Sequence, residues 1–109
     1  MSTLKLRKWD SAEHLKTEED MALYLEACLQ EAGDDAAFIA KALGDIARAK
    51  GMTQVAREAG LSRESLYKAL SGDRSPSFDT ILKVVSALGL QLSASVKESA
   101  IIEDVAEVA

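Results

Sequence analysis

The stretch Thr53–Gly72, TQVAREAGLSRESLYKALSG, sets a glycine between two short amphipathic runs, and this constrains the backbone more than any other part of the chain. Thr53 is a suitable N-cap for a helix over Gln54–Ala59, whose Val55, Ala56 and Ala59 share one face. Gly60 supplies the positive φ that a residue with a Cβ adopts only at a cost. Leu61 is apolar and can drop into a core beside the turn, and Ser62 caps a second helix over Arg63–Leu70 with Leu66, Ala69 and Leu70 on one side. Ala56 is small where two steeply crossing helices leave no room for a large side chain. This spacing predicts a helix-turn-helix.

The other side of the second helix bears on function. With Leu66, Ala69 and Leu70 turned inward, Arg63, Glu64, Tyr67 and Lys68 point out, in or near its first turns. A helix that reads DNA needs long polar side chains there, because its first turns face base edges in the major groove. Arg can make a bidentate contact to guanine, and Glu can accept from cytosine N4 or orient a neighbouring Arg. The same face also suits a helix pair in an ordinary helical protein, with those side chains simply solvated.

These residues also carry a resemblance. The segment resembles repressors of the Cro/Xre type, with Ala56, Gly60, Ser62, Leu66 and Leu70 at recognisable places. More narrowly, GDIARAKGMTQVAREAGLSRESLYKALSGDRSPSFDTILKVVSALGL is similar to the addiction-module antidote (HigA-like antitoxin) subfamily, over about residues 4–96 and most specifically in 44–90. The resemblance implies a mostly α, five-helix, Cro/repressor-like domain. It implies autorepression of an operon through double-stranded DNA, and neutralisation of a small basic toxin of the RelE/HigB type. It further implies phosphate contacts from Gln54, Ser62, Arg74 and Ser75, the last two as a clamp in the loop DRSPS, which also reads as a plain connection. One departure from the wider pattern is that TQ falls directly before VA, which shortens the first helix of the pair.

At 109 residues the chain is long enough for one core and small enough to gain from a dimer. Its net charge of −5 argues against nucleic acid until the distribution is considered. Residues 48–74 hold Arg48, Lys50, Arg57, Arg63, Lys68 and Arg74 against Glu58, Glu64 and Asp73, a local +3 that leaves −8 elsewhere. A basic face on an acidic body is compatible with a phosphate backbone. The acidic remainder suits either keeping the protein off non-specific DNA or attracting a basic partner. A single cysteine, Cys28, rules out an intrachain disulfide and makes a thiol-based metal site implausible. No signal peptide or membrane-length apolar run is evident, so a soluble, cytoplasmic protein is expected.

In order, residues 1–16 read as an arm whose Leu4 and Leu6 alternate with Lys5 and Arg7, a short strand or a tail, and His14 is an exposed linker residue. Residues 17–96 form the helix-turn-helix domain, which opens at Thr17 with TEED close to a capping box. Met21, Leu25, Cys28 and Leu29 recur at helical spacing in its first helix. The second, about Asp35–Lys50, turns Phe38, Ile39, Leu43, Ile46 and Ala47 inward, and its terminal Arg48 and Lys50 suit either the helix dipole or a phosphate. A fifth helix, about Phe78–Leu88 and capped by Ser77, carries a stripe of Phe78, Ile81, Leu82, Val85 and Leu88 expected to close the core. Leu90, Leu92, Ala94 and Val96 then alternate with polar residues, predicting a short C-terminal strand that pairs with residues 3–9 within or between subunits. Residues 97–109 are an acidic tail with Ile101, Ile102, Val105 and Val108 on one stripe. That tail is the first choice for the toxin-binding surface, and the acidic helix near Thr17–Glu31 is the second.

No paired-carboxylate, Ser/His/Asp, Cys/His, metal-ligand or phosphate-loop constellation is present, so neither an enzyme nor a cofactor is expected. A sequence-specific DNA-binding repressor acting as a homodimer is the leading reading. A regulator without a toxin partner, or an interaction module that keeps the fold, is the alternative.

Overall fold

Residues 15–97 are described by the structure, a computed structural model, and they fold as five helices. Helix α1 (Glu18–Ala32) begins at the predicted capping box: the Thr17 hydroxyl accepts from the Asp20 N–H at 3.0 Å, and the Asp20 carboxylate accepts from the Thr17 N–H at 3.2 Å. Its buried stripe is Met21, Leu25 and Cys28, while Leu29 is 38% exposed and turns away from the core. Helix α2 (Ala36–Lys50) starts at Asp35, which accepts from the Phe38 N–H, and ends at Gly51. It buries Ala40, Ala42, Leu43, Ile46 and Ala47.

Helices α3 (Met52–Ala59) and α4 (Arg63–Ala69) follow directly, and α5 (Phe78–Ala87) closes the order with Ser77 as its cap. Helix α1 packs on α2, while α3 packs on α5, α2 and α4. Leu43, Ile46, Val55, Leu66, Val84 and Leu88 are fully buried where these helices meet. One close approach bears on the pose of α4. A Cβ added at Gly44 would lie 3.1 Å from the Leu70 carbonyl oxygen, so any side chain there would make the end of α4 give by a few tenths of an ångström. Gly51, at φ 120°, is both the C-cap of α2 and the N-cap of α3.

Several expectations are corrected. The helix before the turn starts at Met52, not Gln54, and Thr53 lies inside it. Gly51 already occupies the cap position, and Met52 is drawn into the helix by its own burial at 7% exposure. The stripe on α5 is rotated: Val84, Val85 and Leu88 are buried and Ile81 is half-buried, whereas Phe78 is 68% and Leu82 45% exposed.

The expected C-terminal strand at Leu90–Val96 is absent, and the described residues contain no strand at all. Leu90 donates its N–H back to the Val85 carbonyl, but Gln91–Lys97 make no backbone hydrogen bond among the described residues. Alternation supplies two faces, but a strand also needs a neighbouring ladder, and the described residues supply none alongside. The expected N-terminal strand, His14 and the acidic stripe of residues 98–109 lie outside the described residues.

Candidate nucleic-acid interface

The link between α3 and α4 is built by backbone chemistry. Gly60 sits at φ 75°, ψ 28°, in the left-handed region. Its N–H donates to the Arg57 carbonyl at 3.2 Å, and the Leu61 N–H donates to the Ala56 carbonyl at 2.9 Å. This pair of bonds is the Schellman arrangement, and it satisfies carbonyls that would otherwise end α3 without partners. Leu61, just past the turn, packs against the core. The Ser62 hydroxyl accepts from the Ser65 N–H at 3.0 Å and donates to the Ser65 hydroxyl at 2.9 Å, starting α4.

Helix α4 is only seven residues long, and Leu66 at 0% and Leu70 at 5% exposure pin it to the core. Its outward face therefore carries Arg63, Glu64, Tyr67 and Lys68, all exposed as the spacing predicts. The Arg63 guanidinium lies over the Tyr67 ring, 5.6 Å from its centroid. That stacking arranges a planar, bidentate donor and an aromatic ring as one unit on the surface.

The residues read as phosphate contacts are not gathered in one cluster. Gln54 is exposed on α3 and donates to Glu58 at 3.3 Å. Ser62 is exposed, but its hydroxyl is engaged in the cap. Arg74 and Ser75 are exposed in the loop after α4. That loop is tied back where the Ser71 hydroxyl donates to the Lys68 carbonyl and accepts from the Asp73 N–H, each at 3.1 Å.

The cations divide cleanly. Arg48 donates to Asp45 at 2.6 Å, and Lys50 donates to Glu18 at 3.2 Å and to the Leu88 carbonyl at 3.3 Å. Both are thereby spoken for within the fold. Arg57, Arg63, Lys68 and Arg74 make no ion pair among the described residues. Arg57 is the residue that sequence reading missed. Its charge was counted but its place was not assigned, although it stands three residues after Gln54 on the same exposed side of α3. Among the described residues no group of His, Cys, Asp or Glu could hold a metal ion, and no helix is long and apolar enough to cross a membrane.

Comparison with known proteins bears on most of the chain. A family model described as "Probable addiction module antidote protein" matches residues 5–96. An uncharacterised protein of Haemophilus influenzae is 56% identical over 89 residues, which is 82% of this chain and 90% of that relative. No solved structure matches. A match spanning residues 5–96 covers most of the sequence, and on that ground the chain belongs to the family of probable addiction module antidote proteins.

Proposed function

We propose that the protein is a DNA-binding antitoxin that represses its own operon and neutralises a toxin of the RelE/HigB type. In this reading α3, the Gly60 turn and α4 act as a helix-turn-helix of the Cro/Xre kind, and the chain sits in the HigA-like group. Family membership already implies a toxin partner in general and points to a regulatory, non-enzymatic protein. One observation carries the DNA reading. The exposed face of α4 presents Arg63, Tyr67 and Lys68 with no ion pair among the described residues, on a helix whose other side is anchored in the core by Leu66. Cations left without protein acceptors on a rigid outward helix are suited to phosphates and base edges.

Arg63, Glu64, Tyr67 and Lys68 are assigned to base readout or nearby phosphates, and Gln54, Ser62, Arg74 and Ser75, with Arg57 added, to the backbone. Arg63→Ala is expected to weaken binding by about 1–3 kcal/mol and to relax preference at one base position. Fluorescence anisotropy with duplexes from the region upstream of its own operon, each altered at one base pair, checks this. Wild-type protein that binds random duplex as well as that region would sink the DNA reading.

The same function calls for a homodimer, because one helix pair offers few base contacts and two linked units gain through effective concentration. Phe78 and Leu82 lie one turn apart on α5 and are both exposed, which suits them to a twofold contact. Sedimentation equilibrium at micromolar concentration is expected to give a dimer for the wild type and a monomer for Phe78→Ser/Leu82→Ser. A wild type that stays monomeric with and without DNA would reject this part of the proposal.

A further inference from the structure

Helix α2 carries three cations, and two of them are tied up inside the fold. Arg48 donates to Asp45, and Lys50 donates to Glu18 and to the Leu88 carbonyl. Lys41, the third, is exposed and makes no ion pair among the described residues. The carboxylate best placed to take it is Asp45, one turn further along the helix. Both oxygens of that carboxylate are engaged elsewhere: Oδ1 accepts from Arg48 at 2.6 Å, and Oδ2 accepts from the Tyr24 hydroxyl at 2.7 Å.

An exposed lysine without a partner is ordinary, and what distinguishes Lys41 is where its stem lies. The chain leaving α4 runs back along α2: Gly44 faces the Leu70 carbonyl, and Lys41 faces Gly72. A Cβ added at Gly72 would lie 2.5 Å from Lys41 Cγ, 2.8 Å from its Cδ and 3.5 Å from the Ala37 carbonyl oxygen. Gly72 also sits at φ 87°, in the left-handed region. The methylenes of Lys41 therefore fill the space where a side chain at position 72 would stand, and its ammonium is left at the surface beside the loop. That loop joins Lys68 to Arg74, and the Ser71 hydroxyl ties it back to the Lys68 carbonyl. Asp73, the acid of the same loop, forms no ion pair with Lys41.

We infer that Lys41 is a phosphate contact of the DNA-binding surface, set on α2 and joined to Lys68 and Arg74 across the loop after α4. The inference rests on the DNA reading of α3 and α4 proposed above, and it adds a residue outside that helix pair. Packing against Gly72 restrains a long side chain, so less freedom is lost when the ammonium meets a phosphate. An ammonium is a point charge with rotating donors, suited to holding the backbone and not to reading a base edge. Lys41 accordingly contributes affinity and salt dependence but no sequence preference. The local charge of residues 48–74 omits it, because Lys41 joins the loop in space and not in sequence.

Anisotropy titrations of the full chain across a salt series test this, with the duplex upstream of its own operon, forms of it altered at one base pair, and a random duplex. Releasing one counterion at about 0.1 M salt corresponds to about eightfold in affinity. Lys41→Met keeps methylenes against Gly72 and removes the charge. It is expected to weaken the operator duplex and its altered forms alike, by about fivefold or more, and to lower the logarithmic salt slope by about 1 per subunit. Lys41→Arg keeps the charge and is expected to keep the wild-type slope. Lys83→Met removes the same charge from a lysine that Asp79 already holds at 3.1 Å, and is expected to leave the slope unchanged. Thermal melts establish that each variant is folded. A wild-type chain that prefers its operator region, with a Lys41→Met slope equal to its own, overturns the inference and leaves the DNA reading standing. A wild-type chain with no such preference overturns both. An equal drop in slope for Lys83→Met would make net charge the cause and overturn the contact at position 41. A Lys41→Met protein that loses affinity for one altered duplex and not the others would equally overturn the phosphate role.

Discussion

Leu66→Ala is expected to lower the melting temperature by roughly 12–24 °C, the largest loss available to a single change in the candidate interface. Isolated helices shorter than about 12–15 residues are marginal in water, and α4 has seven. Its helicity is held by what it buries, and Leu66 is the fully buried anchor of that short stretch. Truncating a buried leucine to alanine costs about 2–5 kcal/mol. A loss of about 3 kcal/mol, at 4–8 °C per kcal/mol for a domain of this size, gives the stated shift. Arg63→Ala, on the solvent side of the same helix, is expected to stay within about 0.5 kcal/mol. Circular dichroism melts of the two variants side by side check the pair. A Leu66→Ala protein that melts with the wild type would show that α4 is held by something other than its inner face.

Operator affinity is expected to fall by about 10³–10⁴-fold between 50 and 200 mM salt. Arg57, Arg63, Lys68 and Arg74 lack ion pairs among the described residues, so each is available to a phosphate or a base. A dimer that places three or four of these per subunit on phosphates displaces counterions with a logarithmic slope of about −5 to −7. Arg74→Ala is expected to weaken all sequences alike and to reduce that slope by about 1 per subunit. Anisotropy titrations across a salt series give both quantities. A slope near zero, or an Arg74→Ala slope equal to that of the wild type, would remove the phosphate role assigned here.

What the sequence revealed and what it concealed follow from how local the deciding physics is. Gly60, Ser62 and Thr17 were legible because a left-handed turn or a hydroxyl cap is decided within a few residues. Leu66 and the outward set Arg63, Glu64, Tyr67 and Lys68 were legible because one buried side of a helix fixes the other. Helix α5 has apolar residues on more than one side, and periodicity alone does not say which side meets α3 and the rest of the core. Phe78 and Leu82 were therefore read as core, and they are exposed. The alternation at Leu90–Val96 failed for a related reason, since pairing depends on a neighbour that no local pattern supplies. The Arg48–Asp45 pair lies within one helical turn and was readable in principle, whereas Lys50 meets Glu18 across 32 positions of sequence.

That meeting point has a topological consequence. Lys50 holds a carboxylate from the start of α1 and a carbonyl from the end of α5 at once, so one ammonium closes the first and last described helices into a ring. Such a closure spans most of the described chain, whereas the turn at Gly60 spans a few residues. Loop-closure entropy orders the two: local pairs such as α3 with α4 can assemble early, and the seam at Lys50 closes late. The seam is an exposed ion pair plus one hydrogen bond, so it links the start of α1 to the end of α5 only weakly.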